Sequence, residues 1–197
     1  MYALPVHDTV VQSFEPMISP FHRDLVRTQG EQKIISHGLS SMGYDVRLAD
    51  TQLSVFNDVY HQEVDPMNLD IDRVFAEPEI RTCARTGHRY VLLAPNSYLL
   101  GHTPEVFCIP RDILVICLAK STWARAAIGV NVTPIEPGFR GQVVIEVINH
   151  SRLPARIYLN MGIAQFVFLK ADDPCLVSYA DRGGKYQGQM GLTHAKV

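Results

Sequence analysis

The chain lacks the sequence marks of several common chemistries. No Cys-x-x-Cys pair occurs: the four cysteines, Cys83, Cys108, Cys117 and Cys175, stand far apart. That spacing removes a thiolate metal clamp and reads instead as reduced thiols in a core. The eight histidines show no His-x-x-x-His spacing, so the helical two-histidine metal motif is missing as well. Neither GxxxxGK[ST] nor GxGxxG is found, and Ser121 is not in a GxSxG elbow, which argues against a P-loop, a dinucleotide fold and a Ser–His–acid hydrolase. No apolar run approaches the length of a membrane span, and the start, Met1 to Asp8, has no basic segment leading into an apolar one. The expectation is a soluble, cytoplasmic protein. Charge is nearly balanced, 18 Lys plus Arg against 20 Asp plus Glu for a net of −2, so nothing draws the whole molecule to nucleic acid or an anionic membrane. Any anion site must be local.

What is present is a chain of 197 residues, 47% hydrophobic, enough for one domain over 1–197 with a sizeable core. Ser19-Pro20 opening Phe21, Leu25 and Val26 at near-helical spacing, with Gly30 as a stop, predicts a helix over Met17–Gln29 inside an N-terminal extension, 1–34. From Ser36 on the pattern becomes short strands: 45–48, 53–56, 90–93, 97–100, 113–118, 141–149, 155–160 and 163–169, punctuated by turn formers. Strands without intervening helices predict a mainly β fold, a barrel or a sandwich. The stretch 181–197 is rich in Gly, Gln and Lys without periodicity, and is expected to be a mobile tail until something orders it.

Two segments carry chemistry. Glu146 lies in Val143-Val144-Ile145-Glu146-Val147-Ile148, and a carboxylate among β-branched residues is paired, protonated or held at raised pKa for proton transfer. The plainer reading places it on an outward strand face with Val144 and Ile148, meeting solvent or a surface arginine. Upstream, Lys120-Ser121-Thr122-Trp123-Ala124-Arg125 packs two cations and two hydroxyls into six residues, a set suited to phosphate oxygens. The tail glycines 183–191 could wrap a phosphate chain with backbone N–H groups, with Arg182 and Lys185 adding charge. His61-Gln62-Glu63 matches the His-x-Glu half of the zinc deaminase signature, but Leu176-Val177-Ser178 follows Cys175 where a second cysteine is needed. A catalytic zinc is not expected.

Ser40 to Arg47, Lys120 to Arg125, Asn131 to Pro137, Gly141 to Asn149 and Ser178 to Gln189 resemble, in order, the motifs of the dCTP deaminase family. That family shares a distorted β-barrel-like fold with the trimeric dUTPases. The dUTPases carry an Asp where Glu136 stands and a small residue where Glu146 stands, so the acid at 146 marks the deaminase side. The resemblance implies hydrolytic conversion of dCTP to dUTP and ammonia in deoxypyrimidine synthesis. Glu146 would act as general base and then acid, taking a proton from water and passing it to cytosine N3 and the leaving amine. Arg125 would orient Glu146 or oppose excessive elevation of its pKa, and Ser121 would hold the attacking water or an α-phosphate oxygen. Lys120, Ser121, Thr122, Tyr179, Lys185 and Gln189 are the phosphate candidates. Thr133 and Pro134 would read the pyrimidine edge through backbone groups, and Glu136 would contact the sugar 3′-hydroxyl. Mg²⁺ would arrive with the triphosphate, with no protein ligand. The sites would lie between subunits of a homotrimer, with a hexamer as the alternative assembly, and dTTP is the effector to test.

The family commonly has glycine where this chain has Ala119 and Ala127, and the expectation is ordinary φ at both with a slightly reshaped pocket. Deamination of a 5-substituted dCTP, a bifunctional enzyme that continues to dUMP and pyrophosphate with Glu136 as the acid, and a non-catalytic nucleotide-binding regulator stand as alternatives. A regulator would be expected to have lost Glu146 or Arg125, and both are present.

Overall fold

The computed structural model describes residues 2–3, 15–56 and 63–196. The chain is mainly β, and its named strands pair antiparallel in three ladders. The first runs β1 (Tyr2–Ala3), β15 (Gly162–Lys170), β5 (Gly43–Arg47), β4 (Gln32–Ser40) and β3 (Val26–Gln29), with β11 (Ile113–Ala119) also on β15. The second runs β12 (Ile128–Asn131), β13 (Arg140–Asn149), β10 (Tyr98–Cys108), β6 (Ser54–Phe56) and β7 (Phe75–Ala76), with β2 (Ile18–Ser19) on β10. The third is β14 (Ala155–Tyr158), β9 (Arg89–Leu93) and β8 (Ile80–Thr82). Among the described residues these ladders do not close into one ring of pairing. Register breaks occur within two of these sheets, in β10 against β13 between His102 and Val106 and in β15 against β5 between Gly162 and Ala164, and such irregularities bend the strand locally.

β13 sets the inside and the outside. Val143, Ile145, Val147 and Asn149 are buried, while Gln142, Val144, Glu146 and Ile148 are half-buried on the opposite face. Val143, Ile145 and Val147 join Leu99 and Phe107 of β10 and Phe166 and Phe168 of β15 in one apolar core. At the β10 break, Thr103 repairs the ladder: its Oγ1 accepts from Val143 N at 3.0 Å and donates to Glu105 O at 2.7 Å. The fully buried Glu105 carboxylate accepts from Arg47 Nε at 2.7 Å, so a charge that would be prohibitive alone is paired.

The helix expected over Met17–Gln29 is not formed. Ile18 and Ser19 pair with Phe107 and Val106, and Val26, Thr28 and Gln29 pair with β4. Met17 and Ile18 are both fully buried, and that burial together with ladder bonds outweighs a helical propensity that was local only. Residues 4–14 of the expected extension lie outside the described residues. The expected strand at 97–100 is the start of β10, and β12 and β8 also form. The tail is not left trailing: Gln142 N donates to Gln189 O at 2.9 Å, Gly188 N to Arg140 O at 2.8 Å, and Gln189 Nε2 to Gln142 O at 2.7 Å. Among the described residues no helix is long and apolar enough to cross a membrane, and the four cysteines are free.

Lys120 precedes a short helix, Ser121–Arg125, whose only buried side chain is Trp123, bonded through Nε1 to Gly162 O at 2.9 Å. The helix closes with Ala126 N on Trp123 O and Ala127 N on Ala124 O. Here one expectation is corrected. Ala119 continues β11 with no positive φ, but Ala127 has φ of 60°, the left-handed cap conformation that glycine normally fills. The conformation is required because Ala127 O must accept from His150 N at 3.0 Å as the chain enters β12. Ala127→Gly should therefore stabilise the protein by roughly 0.5–1 kcal/mol, the left-handed penalty less the added freedom of the unfolded chain. Urea unfolding at fixed protein concentration checks this, and a lowered midpoint would refute it.

Candidate active site

Strand parity carries Glu146 into a cavity. Its partners across the ladder are Leu100 on β10 and Asn131 on β12, and its face of β13 forms one wall of a cavity of about 840 Å³. Tyr98 and Leu100 of β10 and Phe56 and Phe75 of the neighbouring strands extend the apolar wall. The segment 132–136 supplies Thr133, Pro134 and Glu136, and the tail closes the far side with Tyr179, Tyr186 and Gln189. The outward parity with Val144 and Ile148 is real, but that face meets this cavity rather than open solvent.

Burial raises the Glu146 pKa, and the hydrogen bond from Asn131 works against that rise. Asn131 Nδ2 donates to Glu146 Oε2 at 2.5 Å, and no other bond reaches this carboxylate among the described residues. Such a group gains a proton more readily than a surface glutamate, which suits a shuttle that must both accept and release one. Glu136, the second carboxylate of the cavity, lies 3.5 Å from Arg182 Nη1.

The upstream set is placed elsewhere. Lys120, Ser121, Thr122 and Arg125 do not line the cavity. Lys120 Nζ is bonded to the Asp45 carboxylate and to Ser36 Oγ, so this phosphate candidate is already engaged. Ser121, Thr122 and Arg125 are exposed, and among the described residues the Ser121 and Arg125 side chains make no hydrogen bond or ion pair. No Lys or Arg among the described residues lines the cavity. Lys185 does not line it either, and its Nζ donates to Lys196 O at 3.1 Å. Gln189 reaches the cavity with its Nε2 used by Gln142 O and its buried Oε1 without a partner. The free atom is an acceptor, so it suits an N–H or O–H of a ligand and not a phosphate oxygen. His61 and Gln62 lie outside the described residues, and no group of three His, Cys, Asp or Glu gathers as a metal set among those described.

The family described as dCTP deaminase-like matches residues 17–171. The chain belongs to that family. It is 50% identical over 181 residues to a dCTP deaminase of Azotobacter vinelandii, covering 92% of this chain and 91% of that protein. A dCTP deaminase of Pseudomonas fluorescens is 48% identical over 177 residues, covering 90% and 89%. In fold, the chain is similar to a crystal structure of 2′-deoxycytidine 5′-triphosphate deaminase from Agrobacterium tumefaciens, with a TM-score of 0.52 at 16% identity. That likeness covers 84% of this chain and 46% of the other, so this chain spans about half of it.

Sequence reasoning named Glu146, Thr133, Pro134, Glu136, Tyr179 and Gln189, and the fold gathers all six around one cavity. It missed Asn131 as a partner of Glu146, and Tyr98. The signal for Asn131 was a polar, poor strand former between Val130 and Val132. It missed too that Gly141 is required where the tail docks: its φ is 135°, and a Cβ there would lie 2.5 Å from Gln189 O. The tail hangs on Gln142, which also accepts from Gly191 N through Oε1. Gln142→Ala should free the end of the tail, raising trypsin cleavage after Arg182 and Lys185 about fivefold, as expected for loss of one bond of roughly 1 kcal/mol from a local opening. Equal cleavage rates would show that the side chain does not hold the tail.

Proposed function

We propose that the chain deaminates dCTP hydrolytically to dUTP and ammonia. The observation that carries this reading is a half-buried carboxylate of raised pKa, Glu146, on the wall of a cavity large enough for a nucleoside, in a member of the dCTP deaminase-like family. Ionised Glu146 takes a proton from a water that attacks C4 of cytosine. The proton passes to N3, the C4–N4 bond breaks, and the second water proton reaches the departing amine, so water is consumed and ammonia released. Backbone groups of Thr133 and Pro134 read the base edge, the free Gln189 Oε1 accepts from a base or sugar donor, and Glu136 takes the 3′-hydroxyl. Mg²⁺ would accompany the triphosphate and offset part of its charge, with no residue of this chain assigned to hold it.

The cavity wall carries Glu146 and the Arg182-paired Glu136, and no cation among the described residues lines it, so it offers little attraction to a triphosphate. The cations come from another copy, which supports a homotrimer with sites between subunits. Ser121 and Arg125, exposed and unengaged and following β11 with its exposed Ile116 and Leu118, are the residues a neighbour would supply. There Arg125 orients Glu146 and Ser121 holds the attacking water or an α-phosphate oxygen, with Thr122 and Tyr179 as further phosphate contacts.

The deciding experiment incubates the protein with dCTP and Mg²⁺ and follows ammonia and nucleotide products. Ammonia with dUTP supports the reading. dUMP with pyrophosphate would instead favour the bifunctional alternative, for which Glu136 in the same cavity is the specific support. No ammonia would overturn both. Glu146→Gln should cut kcat by on the order of 10²-fold or more with nucleotide binding nearly unchanged. Because burial raises the Glu146 pKa and the base must be ionised, the acid limb of the kcat/KM profile should lie above the usual carboxylate range, with activity lost as pH falls through it. If sites are shared, Glu146→Gln and Arg125→Ala proteins, each inactive, should regain roughly a quarter of wild-type activity when unfolded and refolded together in equal amounts. No recovery would place Arg125 outside the neighbour's site.

A further inference from the structure

β12 and β13 bring two polar side chains face to face at the end of a four-pair ladder. Asn131 is the register partner of Glu146, and the pairs beside it are Val130 with Val147 and Gly129 with Ile148. Asparagine disfavours a strand, so at this place it costs pairing energy without adding apolar packing. What it supplies is one N–H, aimed at one oxygen of the carboxylate: Nδ2 to Oε2 at 2.5 Å. The other oxygen, Oε1, has no partner among the described residues, and Glu146 lines the cavity.

We propose that Asn131 is a positioning residue for Glu146, fixing the carboxylate by Oε2 and presenting Oε1 to the reacting water. This inference rests on the deaminase reading. A proton shuttle loses rate if its carboxyl rotates away between the water, N3 and amine positions, and one anchored oxygen limits that rotation. The neutral amide also favours the ionised form without the full effect of a cation. A Lys or Arg at 131 would hold Glu146 too acidic to pass its proton on, and an Asp would repel it. The titratable groups facing Glu146 are Tyr98 on β10 and Cys117 on β11, with Glu136 on the same cavity. Burial first, and then the charge of Glu146, raises the pKa of both Tyr98 and Cys117, the latter to about 12. None of the three supplies positive charge, so the Asn131 bond is what opposes the effect of burial on Glu146 within the chain.

The test compares wild type, Asn131→Ala and the near-isosteric Asn131→Asp in two measurements on the full-length protein. The first is the pH dependence of kcat/KM for dCTP. With the donor gone, the acid limb should move to higher pH, so that the Asn131→Ala rate falls about three- to tenfold below wild type on the acid side. On the alkaline plateau, where Glu146 is ionised in both, a smaller deficit of about twofold should remain from the lost anchor on its carboxylate. Asn131→Asp should move the limb further in the same direction. The second follows the Glu146 carboxyl directly by infrared titration of ¹³C-glutamate-labelled protein without substrate, with Glu146→Gln identifying its band. Its titration should move upward in both variants. A loss of rate uniform across pH with an unmoved Glu146 titration, or superimposable profiles, overturns the inference. If wild type releases no ammonia, the deaminase reading fails, while the infrared titration still decides whether Asn131 sets the state of Glu146.

Discussion

The structure depends on the register of β13. Ile145 and Val147 are fully buried, Val143 nearly so, and Asn149 is fully buried with its amide bonded to the carbonyls of Leu93, Ala94 and Leu153. A slip of one residue would drive Glu146 and Gln142 into the core and expose that whole inward set. The same alternation that closes the core therefore delivers Glu146 to the cavity and Gln142 to the tail. β10 and β12, paired on either side, fix what faces it: Leu100 from one strand and Asn131 from the other.

That register has to survive a break in β10. Between His102 and Val106 the ladder shifts, and polar groups carry it through: Thr103 to Val143 and Glu105, and Glu105 to Arg47 on β5. Burial raises the Glu105 pKa, and Arg47 acts in the opposite direction. Replacing Arg47 would leave a charge in the core, a loss of about 3–5 kcal/mol by the usual cost of breaking a buried pair. A second inner pair, Lys120 with Asp45, ties the start of the short helix to the same β5 strand. Burial raises the Asp45 pKa, and Lys120 opposes it. The Arg47–Glu105 pair anchors β10, a strand that lines the cavity, and neither pair enters the cavity.

Much of the β content was legible from local pattern. β5, β9, β11, β13 and β15 alternate or run apolar between turn formers, and each formed where that pattern lay. Residues 17–29 were misread because Phe21, Leu25 and Val26 fall at helical spacing by chance, and nothing local shows that Ile18 will find Phe107 in β10. The left-handed Ala127 was signalled only by the family's glycine at that place: an alanine by itself gives no sign of positive φ, and the demand comes from His150 in a distant segment.

The sequence alone determined that this is a strand-rich member of a nucleotide-handling family and that Glu146 is the acid to explain, because a carboxylate in a β-branched run and an ordered set of motifs are local properties of the chain. Only the tertiary structure decided that Glu146 meets Asn131, that Gln189 keeps a free acceptor beside the cavity, and that Lys120 is held by Asp45 rather than at the cavity. Those are outcomes of cross-strand register and chain packing between residues 15 to 75 positions apart, and no local pattern encodes which of several polar groups a folded strand will face.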